Sequence, residues 1–141
     1  MSRLVSTTGP LCPGLHGQGI ESWTEAELAS LHALWWLWRV SPTRAGREAL
    51  ATRGRSHRDW LIEEIQPDNA TNRPWALGAF IAWGCEGNME GEGGDGELLA
   101  HHYAQTLLHN CQVQQGRPDR FSTVLLLDAI VGLEMNEADT G

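Results

Sequence analysis

The sequence predicts an all-α protein, with about six helices in stacked antiparallel hairpins forming a single domain. Three observations carry the prediction. Apolar residues recur at three- and four-residue spacing along most of the chain, and helix start and stop signals bracket those stretches. No stretch alternates apolar and polar residues as a half-buried strand requires. The length, 141 residues, is that of one ordinary domain. Apolar residues are 41% of it and seven are tryptophan, which is enough bulky material for a buried core.

The first helix is expected over about 23–40. Ser22 and Glu25 have capping-box spacing, and Leu28, Leu31, Trp35 and Trp38 follow at helical intervals. Leu34, Trp36 and Leu37 widen the stripe beyond one face. A second helix is expected over about 42–52, opened by Pro42 at its first position and ended by Gly54. A third begins with another capping box, Ser56 and Asp59, carries Trp60, Leu61 and Ile65, and stops at Pro67. The fourth, about 74–85, is apolar all round (Trp75, Leu77, Phe80, Ile81, Trp83), the composition of a central helix. Asp95 is expected to cap a fifth helix at about 97–113, and a sixth, about 119–135, is nearly all apolar. The run Val124–Leu127 has the composition of a short strand, but its helical flanks decide against one. Residues 1–20, rich in Gly, Pro, Ser and Thr without periodicity, are expected as a flexible arm ahead of a helical domain at 21–137.

The formal net charge of −8 argues against nucleic acid as a general partner. No apolar run reaches the roughly 20 residues of a membrane span, and the N-terminus has no signal-peptide core, so a cytoplasmic protein is expected. Three widely spaced cysteines, Cys12, Cys85 and Cys111, point to neither a disulfide framework nor a zinc knuckle. All cations are arginine. Arg39, Arg44, Arg47, Arg53, Arg55 and Arg58 cluster in one block, and a block of acids spans Glu86 to Glu97.

Chemistry-bearing patterns are few. On the fifth helix Leu99, Ala100, Tyr103, Leu107 and Cys111 share one face, opposite His101, His102, Gln105, His109 and Gln112. His102 and His109 align but lie about 10.5 Å apart along the axis, too far to chelate one ion. Glu97 and His101 have i,i+4 spacing and form at most half a metal site. Gly91, Gly93 and Gly96 spell G-x-G-x-x-G, but after a helix and among acids, which excludes a dinucleotide site. Glu86, Asn88, Glu90, Gly91 and Glu97 match an EF-hand-like loop, with Glu in place of the shorter Asp and Gly93 in place of an apolar anchor. An open acidic loop that binds no calcium is expected there. Asp128, among apolar residues of the last helix, must be either at its exposed edge or buried and paired. Asn69-Ala70-Thr71 is a glycosylation pattern without meaning in a cytoplasmic chain.

The segment Asp59-Trp60-Leu61-Ile62-Glu63-Glu64-Ile65-Gln66-Pro67-Asp68-Asn69, followed by Trp75, resembles the helical-hairpin repeat of terpenoid-cyclase and prenyltransferase-type α/α toroids. The resemblance implies stacked helical hairpins. The chain has no D-x-D-D acid motif, so cyclase activity does not come with it.

These readings lead to a non-catalytic interaction or scaffold module, with no cofactor. Its expected partner is another protein or a second copy in a homodimer, covering an apolar face that a six-helix domain cannot enclose. The arginine and acidic blocks can meet across such a dimer. The alternative is a binding protein or small enzyme with a Trp-lined pocket built from Trp35, Trp38, Trp75 and Asp128.

Overall fold

The computed structural model describes residues 8–15, 17–65, 73–83, 94–115 and 119–140, with side chains over 98–112 and 119–135 in the last two segments. Among the described residues the protein is helical without strands: α1 (Ile20–Val40), α2 (Arg44–Glu64), α3 (Leu77–Ala82), α4 (Gly94–Gln115) and α5 (Arg120–Thr140), with one 3-10 turn at Pro13–Leu15. No helix among them is long and apolar enough to cross a membrane.

Five helices replace the expected six because the second and third are one. α2 runs unbroken through Gly54, which is a packing position, not a terminus. A Cβ there would overlap the ring of Trp83, itself fully buried. The helix thus accepts the roughly 1 kcal/mol that glycine costs in its interior in exchange for a close approach to a large aromatic. Thr43 caps α2, its hydroxyl accepting from the Gly46 N–H at 3.1 Å, so Pro42 lies just before the cap.

Neither predicted capping box forms. α1 already begins at Ile20, after Gly19 at φ 95°, so Ser22 and Glu25 lie inside its first turns. Glu25 reaches across to α3's approach instead, accepting from Arg73 at 2.9 Å and from the Trp75 indole at 3.1 Å. Ser56 and Asp59 are likewise internal to α2. α3 is six residues, shorter than the expected 74–85, and starts after Ala76 in the left-handed region at φ 54°.

α1 and α2 form an antiparallel hairpin, joined at Trp23–Trp60 and Glu27–His57. α3 is the hub: almost every residue is buried, between α1, α4 and α5. Phe80 stacks on Tyr103 of α4 at 4.5 Å. The Trp35 ring slots between α3 and α5, where a Cβ on Gly78 or on Gly132 would collide with it. Trp35 and Phe80 are fully buried, whereas Trp60, Trp75 and Leu126 pack against the core from its margin.

Part of the stretch expected as a free arm is fixed on the helices. Leu11 and Cys12 donate their N–H groups to the Glu27 carboxylate, both at 2.8 Å. Arg53 donates to the carbonyls of Gly9 and Pro10 at 3.1 and 3.2 Å. Composition could not show this, because the anchoring groups lie on α1 and α2.

Candidate functional site

Three polar clusters hold the ionisable groups that sequence reasoning singled out or missed. Asp128 is half-buried and paired. Arg39 donates to Oδ1 at 2.9 Å and to Oδ2 at 3.1 Å, the two-pronged geometry that guanidinium and carboxylate favour, and also to the Asp128 carbonyl at 3.2 Å. The same guanidinium lies 4.4 Å from the Trp35 ring centroid, a cation–π distance. His32 completes the cluster, with Nε2 3.5 Å from Asp128 Oδ2 and Nδ1 accepting from the Ala76 N–H at 3.3 Å. That backbone donor fixes the neutral tautomer. Burial is the main cause of a pKa lowered below the usual histidine value, outweighing the upward pull of Asp128.

The second cluster is fully enclosed. Glu27 accepts from Leu11, Cys12 and the Trp23 indole, and its Oε2 lies 3.3 Å from His57 Nε2, with neither side chain exposed. His57 stacks on Trp60 at 5.5 Å, and its Nδ1 lies 3.2 Å from the Gly9 carbonyl. Burial pushes its pKa down against the pull of the Gly9 and Glu27 carbonyls and the Glu27 carboxylate. Sequence reasoning passed over both residues: a Glu on an amphipathic helix and a His beside an Arg give no periodic signal of burial. The third cluster joins Glu25, Arg73 and Trp75 at the protein's edge, where Trp75 meets Phe121 at 5.2 Å.

Of the residues proposed for a Trp-lined pocket, Trp35, Trp75 and Asp128 are brought together around His32, with ring centroids 6.2 and 5.7 Å away and Oδ2 3.5 Å from Nε2, while Trp38 packs elsewhere. Trp35 is buried between glycines, Trp38 meets Trp83 edge-on at 5.9 Å, and Trp75 faces Phe121 and His32. Asp128 is occupied by Arg39. Of the i,i+4 pair read as half a metal site, His101 is half-buried on α4, and the Glu97 side chain lies outside the described residues. The calcium-like loop up to Gly93, the glycosylation pattern and the Gln66–Asn69 part of the toroid-like segment also lie outside them. Among the described residues no three metal-ligating side chains cluster. Buried Ala100, Tyr103, Leu107 and Cys111 define α4's inner face, with His102, Gln105, His109 and Gln112 outside as expected, but Leu99 is exposed.

The arginine block is largely used within the chain. Arg39 binds Asp128, Arg53 holds Gly9 and Pro10, Arg44 pairs with Glu48, and Arg58 bonds Asp59 and the Trp83 carbonyl.

Among the described residues exposed apolar side chains occur on α1 (Trp36, Leu37, Val40) and α4 (Leu98, Leu99), and the longest row is on α5. Ser122, Leu125, Ala129 and Gly132 of α5 face inward. On the opposite side Val124 is 59% exposed, Leu127 56%, Ile130 54% and Val131 49%, with Met135 beyond them. A surface helix that carries most of its large aliphatic residues on the outer side is unusual, since that side is ordinarily polar. No family model matches the chain, and no curated protein and no solved structure is similar to it.

Proposed function

We propose that the chain is a non-catalytic helical interaction module whose docking surface is the outer face of α5. The observation that carries this reading is the row Val124, Leu127, Ile130 and Val131, each about half exposed on a helix whose opposite face is buried. Contiguous apolar surface of this kind is what protein interfaces use. The buried acids and histidines support the same reading, because Glu27, His57 and Asp128 are engaged by groups of the chain itself. The pocket alternative has less support, since Trp35 is fully buried and Asp128 is taken up by Arg39.

A photo-crosslinking amino acid at Leu127, compared with one at exposed Gln105 of α4, tests the reading in the producing cell. Protein adducts at 127 and none at 105 are expected. An absence of adducts at 127, or equal adducts at both positions, contradicts it.

A further inference from the structure

The pattern along α5 identifies what docks there. With 100° per residue and Leu127 as the origin, Arg120 lies about 20° to one side and about 10.5 Å towards the N-terminus; Glu134 lies about 20° to the other side and equally far towards the C-terminus. Both are exposed. Val124 lies about 60° and Val131 about 40° to the Arg120 side, three residues before Leu127 and four after it. When a second helix of the same sequence packs antiparallel on this face with Leu127 opposite Leu127, Arg120 therefore comes opposite Glu134 and Val124 opposite Val131.

We propose that α5 binds α5 of a second copy of this chain, antiparallel, about a two-fold axis at Leu127. This rests on the reading of α5 as the docking surface and names its occupant. Across that axis Arg120 faces Glu134 of the second copy at both ends, Val124 faces Val131 of the second copy, and the two Leu127 side chains meet at the centre. An isologous contact demands such self-complementarity, and a face shaped for an unrelated partner has no reason to possess it.

Two further observations fit. Within α5 neither Arg120 nor Glu134 has an opposite charge one turn away: Arg120 is followed by Thr123 and Val124, and Glu134 has Ile130, Val131, Glu137 and Ala138 at those positions. The half-exposed aliphatic row presents on the order of 400 Å² of apolar surface, within the range of patches that mark interfaces. A standard interface covers about 800 Å² per partner. The polar flanks of the helix provide the remainder.

Sedimentation velocity of the full chain over about 1–200 µM tests the proposal. The wild type should dimerise, and Leu127→Glu should be monomeric with an unchanged helical circular-dichroism spectrum. Arg120→Glu and Glu134→Arg should each weaken the dimer by at least about tenfold, since each places like charges at both ends. An equimolar mixture of these two single variants should dimerise again, because every end then pairs opposite charges; no interface elsewhere on the molecule yields that rescue. A wild type that stays monomeric throughout, or a dimer indifferent to Leu127→Glu, overturns the proposal. So does a mixture that fails to recover. If crosslinks at position 127 then lead to a different protein, the docking-surface reading survives and the second copy does not.

Discussion

Glu27 and His57 face each other in the interior at 3.3 Å, and the same carboxylate receives the backbone N–H groups of Leu11 and Cys12. One buried acid thus joins α1, α2 and the segment that precedes them. Removing one partner from a buried ionic cluster costs about 3–5 kcal/mol, because the groups left behind are desolvated and unpaired. Glu27→Ala should lose that much in urea unfolding. It should also free the Gly9–Cys12 segment, so that Cys12 reacts faster with a thiol reagent while buried Cys111 stays protected. Unchanged Cys12 labelling in a folded Glu27→Ala protein would falsify the anchoring role.

Gly54 offers a test of sign. In an open helix interior, glycine to alanine stabilises by up to about 1 kcal/mol. Here the added methyl meets the Trp83 ring. Gly54→Ala should therefore destabilise, by about 1–3 kcal/mol as overpacking does. A raised thermal midpoint would show that α2 and Trp83 are not in close contact.

Acid should weaken the fold before the carboxylates titrate. His32 and His57 both have pKa values lowered from the ordinary histidine value of about 6.5, chiefly by burial. Below that pH the unfolded chain binds protons that the folded chain refuses. Stability should therefore be fully present above about pH 6.5 and fall as pH drops through it, by up to about 1.4 kcal/mol per pH unit for each histidine. The slope should shrink in His32→Gln, which can still accept from the Ala76 N–H. Stability that rises between pH 6.5 and 5 contradicts this assignment.

Arg39 and Asp128 connect α1 to α5 over 89 positions of sequence. A double-mutant cycle with Arg39→Met and Asp128→Asn should return a coupling energy of about 1–3 kcal/mol, because the pair is bidentate and partly buried. Coupling near zero would reduce the pair to a surface contact.

Much of the fold was legible because helices announce themselves through local periodicity. Leu28, Leu31 and Trp35 mark α1's inner face, and Ala100, Tyr103, Leu107 and Cys111 mark that of α4. What failed were inferences about glycine and caps, whose meaning depends on distant partners. Gly54 reads as a stop until Trp83 is placed against it, and Glu25 reads as a cap until Arg73 and Trp75 arrive from the far side of the sequence. The pairing of Asp128 was foreseeable, but Arg39 as its partner was not. The outer face of α5 is a different case. Its composition was plain in the sequence, and only the inward placement of Leu125, Ala129 and Gly132 shows which aliphatic residues are left outside.

If the outer face of α5 is covered by a second copy, folding thermodynamics reads it directly. Association that involves only the folded state stabilises it by mass action, so the thermal midpoint depends on protein concentration. The midpoint of the wild type should rise steadily over about a hundredfold increase in concentration, whereas that of Leu127→Glu should stay flat and match the wild type at its most dilute. A wild-type midpoint independent of concentration, or one whose dependence survives in Leu127→Glu, would contradict the proposal.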